Sequence, residues 1–366
     1  MDAPAFLLRE ARAADHGQLL TLARELDSVN LPTGADELTE ALKRSAISFR
    51  GRVRDRARAL YIFCAEEIAT GEVTAASMII AKHGTPQAPH YYLQIDSEER
   101  YSHTLRKKFR HDYLRLRYSM DGPTEIGGLI VKPSMRGHPE HLGKQISWLR
   151  MLYLARYPSR FEPELIAEML APMLPGHRNL FWDHYGGRVT GLSFQDADIL
   201  STRDKEFIHT LFPDSPLYTF LLPDEVRKSL GAVGESSRGA VRLLEQAGMK
   251  FIGHIDPFDG GPYYGALISS LRPARELRSL TAIVSQPNGQ SATKQSQPRL
   301  VAYNGPEGFR AIRVNAEITE DAIPLSEAQF AILKATPGVQ ADTVPLPERE
   351  AALVPARPAQ SQPSLK

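Results

Sequence analysis

The stretch from Thr124 to Tyr153 constrains this chain most. An apolar run, T-E-I-G-G-L-I-V-K-P (residues 124–133), passes directly into the basic, glycine-bearing loop M-R-G-H-P-E-H-L-G-K-Q-I-S (residues 135–147). A helical pattern follows from about Lys144, with Ile146, Leu149 and Tyr153 on one face. A strand ending in an Arg-containing loop whose amides open a helix is a general anion site, because unpaired N–H groups and the helix dipole both favour phosphate oxygens. Two common nucleotide fingerprints do not fit. A Walker loop needs Ser or Thr after Gly-Lys, whereas Gly143-Lys144 is followed by Gln145, and the dinucleotide pattern G-x-G-x-x-G is absent.

The rest of the chain bounds what that unit belongs to. With 366 residues, 42% of them hydrophobic, it can bury a sizeable core. Forty-four basic against forty-three acidic residues leave a formal charge of +1, so no global field favours nucleic acid or a membrane. No apolar run approaches the roughly eighteen residues of a spanning helix, and the expectation is a cytoplasmic protein. The lone cysteine, Cys64 in Y-I-F-C-A, reads as a buried strand thiol, which excludes disulfides and cysteine metal sites. His177, His184 and His209 have no metal spacing with neighbouring ligands, and no metal is assigned.

Along the chain, F-L-L-R-E-A reads as a strand, a helix follows with Asp15 as N-cap, and a second helix starts from Asp36. A-L-Y-I-F-C-A-E-E, G-E-V-T-A-A-S-M-I-I-A and H-Y-Y-L-Q-I read as an antiparallel meander, turning at Thr70-Gly71 and more loosely over residues 83–89. Residues 162–174 read as helix and loop. Further on, a helix capped by Ser236 or Ser237 stops at Gly248, and the turn F-D-G-G-P (residues 258–262) separates two strands. Domain boundaries are expected at 1–285 for the main unit, 286–298 for a flexible connection, 299–347 for a small β-rich module and 348–366 for a disordered tail.

Several motifs occur in a telling order: Asp27-Ser-Val-Asn-Leu-Pro, Thr124-Glu-Ile-Gly-Gly-Leu-Ile-Val-Lys-Pro, Phe181-Trp182, Leu192-Ser-Phe-Gln-Asp-Ala-Asp, Ser215-Pro-Leu-Tyr and His254-Ile-Asp-Pro-Phe-Asp-Gly-Gly-Pro. Together they resemble the arginine N-succinyltransferase family, over about residues 6–346. The resemblance implies an α+β fold: an acyl-CoA N-acyltransferase-like mixed sheet with flanking helices, plus a small C-terminal β-rich, barrel-like module. It implies transfer of a succinyl group from succinyl-CoA, a co-substrate rather than a tightly bound cofactor, to the α-amine of L-arginine, the opening step of a bacterial arginine-degradation route. It also makes a homo-oligomer or a related-subunit partner plausible.

The resemblance places a succinyl-CoA contact at Leu129 and a family glycine at Gly143, although His141 stands where another glycine is usual and the loop is about two residues longer. In such a reading the main chain of Leu129, Ile130 and Val131 polarises the thioester carbonyl, and Arg136, Gly143 and Lys144 hold the CoA pyrophosphate. Acyl transfer needs a neutral amine and protonation of the departing thiolate. Glu125 is a candidate base, or else an edge carboxylate paired with an arginine. Family members carry a proton-donor histidine at the position of Gly234, so Glu235 or His254 substitutes, the thiolate leaves unassisted, or the protein is slow, redirected or inactive. Asp259 is a candidate partner for the guanidinium or a turn-former bonding its own backbone, and Trp182 a pocket wall or a core aromatic. Two alternatives stay open. One is an N-acyltransferase of the same fold acting on ornithine or a polyamine. The more remote one is nucleic-acid binding through the basic, aromatic residues 100–118, where Asp112 interrupts the charge.

Overall fold

The computed structural model describes residues 4–25, 31–201, 204–285 and 296–347. Part of the D-S-V-N-L-P motif (27–30), most of the expected connection (286–295) and the tail (348–366) lie outside the described residues. The strands are β1 (Phe6–Glu10), β2 (Leu60–Glu67), β3 (Val73–Ile80), β4 (His90–Ser102), β5 (Lys107–Ser119), β6 (Thr124–Val131), β7 (Glu164–Glu168), β8 (Leu217–Tyr218), β9 (Lys250–Ile255), β10 (Pro262–Leu267), β11 (Arg278–Val284), β12 (Gln297–Gly305), β13 (Gly308–Ala316), β14 (Ala322–Leu325) and β15 (Gln340–Pro345). They form one mixed sheet in the order β14-β11-β15-β12-β13-β1-β2-β3-β6-β7-β10-β9-β4-β5-β8. The fold is α+β.

Helices α1 (His16–Glu25) and α2 (Ala35–Phe49) lie on one face of this sheet, where Leu19, Leu22, Leu38 and Leu42 pack on Ile62, Cys64 and Met78. Helix α3 (Leu142–Arg156) lies on the other face. Its residues from Trp148 to Leu154 are all buried, whichever side of the helix they project from. Such an all-round apolar helix has to be sandwiched. Here it lies against the sheet, with Trp148 Nε1 donating to Pro345 O of β15 at 3.1 Å, and the helices Arg238–Ala247 and Arg272–Glu276 pack against it as well. Each apolar side chain fully buried there stabilises the fold by about 1.5–3 kcal/mol relative to its exposed state.

Three local readings of the sequence change. The meander breaks after β3, which pairs with β6, while β4 pairs with β5 and β9. Neighbours in sequence are usually neighbours in space, but β6, β7, β10 and β9 intervene between β3 and β4. Residues 164–168, read as helix and loop, form β7. The cause is topological: α3 is the crossover of a β-α-β unit, and such a crossover delivers the chain to a parallel strand beside β6. The basic segment 100–118, on which the nucleic-acid alternative rested, is the end of β4, a turn at Arg106 with φ 45°, and nearly all of β5, in one long two-stranded ribbon. Its cations alternate with carboxylates, in the pairs Arg100–Glu98, Lys108–Glu99 and Arg110–Asp112.

The C-terminal strands enclose a separate core with the helix Glu327–Leu333, formed by Val301, Ile312, Ile323, Leu325 and Phe330 among others. They remain hydrogen-bonded to the main sheet through β13 and β1. Strand β11, from the end of the first expected domain, pairs with β14 and β15, and β12 begins inside the expected connection. Among the described residues no helix is long and apolar enough to cross a membrane.

Candidate active site

Strands β6 and β7 share the rungs Thr124↔Leu165 and Glu125↔Ile166 and then part. Beyond Glu125 the described residues give β6 no strand partner on that side. A bulge opposite Ala76–Met78, with Gly128 at φ 55°, bends β6 away there, a conformation that glycine adopts without strain. Leu129, Ile130 and Val131 line the resulting gap and are half-buried. The chain then turns through Gly137 (φ 82°) and His141 (φ 54°) into α3, at the mouth of the same gap. The amides of Lys144 and Gln145 turn back onto His141 O, while those of Leu142 and Gly143 have no acceptor among the described residues. A Cβ on Gly143 would meet Val131 Cγ2 at 3.6 Å, so the helix start and the gap are in contact.

Register assigns the side chains to faces. Ile126, Leu165 and Ala167 enter the core beside α3. Glu125, Ile166 and Glu168 therefore point to the opposite face, joined there by Tyr263 opposite Glu168 and by Gln94 opposite His254. This face carries a dense polar cluster. Glu125 Oε2 lies 2.5 Å from His83 Nδ1. His83 packs on His90 at 4.6 Å, His90 packs edge-on to Tyr263 at 5.1 Å, and Tyr92 stacks on His254 at 4.1 Å. The Tyr263 hydroxyl donates to Glu168 Oε2 at 2.9 Å.

The cluster separates its proton affinities. Burial would raise the Glu125 carboxyl, but the His83 imidazole outweighs it and holds Glu125 below the usual range. Burial, and then the carboxylates of Asp256, Asp259 and Glu125, push Glu168 well above that range, although the residue stays partly exposed. Burial lowers His254, opposed by Asp96, and burial with the His83 charge lowers His90 strongly. The two carboxyls are thus pushed in opposite directions on one face, Glu125 toward its ionised form and Glu168 toward its protonated form, the separation that acid–base chemistry draws on.

Of the residues singled out in the sequence, Glu125, His254, Leu129, Ile130, Val131 and Gly143 come together around the gap and this face. Arg136 is exposed in the loop, and Lys144 Nζ donates to Pro347 O at 2.6 Å. Asp259 is buried, and its two carboxylate oxygens accept from the amides of Ala171 and Gly261 at 2.8 and 2.6 Å. Those bonds fix the F-D-G-G-P turn against the exit of β7, where a Cβ on Gly261 would lie 2.2 Å from Met169 O. Trp182 is buried among aromatics, stacked on Phe258 at 5.1 Å with its indole N–H on Leu192 O. Glu235 is exposed.

Gly234 is buried, and its amide donates to Leu170 O at 2.8 Å. A Cβ there would lie 2.9 Å from Ala171 O and 3.2 Å from Leu170 O, so any side chain must displace backbone. Gly234→His is therefore expected to lower stability by about 1–3 kcal/mol, as overpacking does, without raising turnover. Thermal unfolding beside kcat checks this, and a faster enzyme of unchanged Tm is the contrary result.

His83, His90, Tyr92, Glu168 and Tyr263 were not legible as site residues. The available signal was parity: on E-L-I-A-E a carboxylate shares a face with Ile166 and not with the core-facing Leu165 and Ala167. Among the described residues no group of three or more His, Cys, Asp or Glu could hold a metal ion.

Comparison with known proteins fits this frame. The family described as arginine N-succinyltransferase beta subunit matches residues 6–273. The arginine N-succinyltransferase of Photorhabdus laumondii is 28% identical over 338 residues, covering 91% of this chain and 96% of its own. That of Escherichia coli is 27% identical over 335 residues, covering 91% and 95%. A solved structure, arginine/ornithine succinyltransferase subunit AI from Pseudomonas aeruginosa, superposes with a TM-score of 0.80 at 24% identity, covering 94% of this chain and all of that one.

Proposed function

Because the chain belongs to the arginine N-succinyltransferase family, we infer that it transfers the succinyl group of succinyl-CoA to the α-amine of L-arginine. The observation that carries the mechanism is the parting of β6 and β7 directly above a helix N-terminus, with Glu125 and Glu168 on the open face. The pantetheine arm enters the gap, and amides of Leu129 to Val131 polarise the thioester carbonyl. The pyrophosphate meets the first turn of α3 and Arg136. The α-amine approaches from the face of Glu125. Its nitrogen bonds to the thioester carbon, the C–S bond breaks, and the released ammonium proton passes to Glu125, which His83 keeps ionised. The thiolate takes a proton from Glu168 or from water. His254, lowered by burial and stacked on Tyr92, stays neutral near pH 7 and helps to seat the amine. Asp96, bonded to Gln94 on the same face, is the carboxylate offered to the guanidinium.

A second reading rests on Gly234, which leaves no side chain where the family's histidine stands: a slower enzyme, or one acting on ornithine or a polyamine. Cytoplasmic residence and self-association or a related-subunit partner belong to the same proposal. Mass spectrometry of the product tests the activity. Addition of one succinyl group at the α-amine is expected, and modification elsewhere on arginine, or none, counts against it. Alanine at both Arg136 and Lys144 is expected to weaken CoA binding by about 10- to 100-fold, measured by calorimetry, with Arg136 carrying most of the effect because Lys144 already holds Pro347 O. Unchanged affinity would remove both from the site.

A further inference from the structure

Arg150, on α3, is 2% exposed and lies beneath the gap between β6 and β7. Its Nη1 donates to Gly127 O at 3.1 Å and its Nη2 to Ser147 Oγ at 3.1 Å, while its Nε has no partner. Gly127 lies just past the last rung that β6 shares with β7, so the guanidinium sits at the point where the strands part. No carboxylate among the described residues pairs with it. The contrast with Arg9 is sharp, since that buried guanidinium is held by Asp15 and Glu66. Burying an unpaired charge is unfavourable enough that proteins match it with a counter-ion or place it for a function. Burial alone pushes Arg150 down to about 9, which still leaves it a cation near neutrality.

We propose that Arg150 binds the distal carboxylate of the acyl group and so selects succinyl-CoA over acyl-CoAs of equal length that lack it. The proposal rests on the thioester occupying the β6–β7 gap. The thioester carbon then lies in the plane of the sheet, the amine and Glu125 on one face, and the acyl chain descends on the other face toward α3. A guanidinium is suited to this task because its fork can take a carboxylate with two hydrogen bonds, and the unused Nε–H is one of the donors required.

The test is equilibrium binding without an acceptor amine, which does not depend on the acceptor. Succinyl-CoA, butyryl-CoA and free CoA are titrated into the wild-type chain, Arg150→Met and Arg150→Lys. Wild type is expected to bind succinyl-CoA about 10- to 100-fold more tightly than butyryl-CoA. Arg150→Met loses that preference while keeping its affinity for butyryl-CoA and free CoA, and Arg150→Lys keeps part of it. Equal affinities in the wild type overturn the proposal even if the methionine variant fails to fold. Full preference in a folded Arg150→Met also overturns it, as does an equal loss for all three ligands. If the preference is present and depends on Arg150 but arginine gives no turnover, the carboxylate site stands and the choice of acceptor falls.

Discussion

Glu125→Gln is expected to lower kcat by about 10²- to 10⁴-fold, the usual contribution of a positioned acid or base, while leaving CoA affinity unchanged. Glutamine preserves shape but cannot take the amine proton. Glu125 is buried and faces away from α3, so its replacement does not touch the loop that receives CoA. The neighbouring His83 loses its carboxylate neighbour but keeps its packing on His90. A steady-state comparison at saturating succinyl-CoA and arginine, with binding measured separately, checks this. A loss of less than about tenfold would mean that the proton leaves by another route and that Glu125 serves mainly to hold His83.

Glu168→Gln carries the second large effect, and it reads out twice. Turnover is expected to fall by about 10²-fold or more if Glu168 delivers the thiolate's proton. Stability is expected to change in a pH-dependent way. The folded protein keeps a proton on Glu168 well above the ordinary value of 4.5. The stability linked to that proton is fully present below the ordinary value, and is lost as pH rises through the folded value, because the unfolded chain has already released its proton. Glutamine cannot ionise and removes the linkage. The Tm of the variant relative to wild type should therefore rise as the pH climbs above the ordinary value of 4.5. A difference that stays constant with pH would mean that Glu168 is ionised in the folded protein. The double comparison cancels the other titrating groups common to both proteins.

Local pattern carried the sequence reading a considerable way. The strand, basic loop and helix from Thr124 onward are β6, its exit and α3, and the face of α3 near Ile146 does enter the core. The Gly248 stop and the F-D-G-G-P turn are placed as read, with Gly248 at φ 100°. Glu125 was legible because it is the acidic residue of an otherwise apolar strand. Its partners were not. His83 follows β3 and His90 opens β4, and in sequence they bracket what looks like a loose hairpin turn. Only the insertion of β6, β7, β10 and β9 between those strands brings them against Glu125 and Tyr263. Strand parity is visible in a sequence, but strand order across fifteen strands is not. Asp259 illustrates the converse: an acidic residue between a phenylalanine and two glycines looks available for a ligand, yet both its oxygens are taken up by amides of the turn it shapes. Arg150 was hidden for a similar reason, since on a helix buried all round nothing in the sequence distinguishes a guanidinium that snorkels to water from one held under the sheet.

The central claim is that this chain uses a CoA thioester to succinylate arginine, and the rate of free thiol release from succinyl-CoA tests it most directly, measured with arginine, with ornithine and without an acceptor. The expected result is release that depends on arginine, saturates with it and exceeds the rate with ornithine. Release no faster than the acceptor-free blank with either amine, from a protein that still binds CoA, would contradict it.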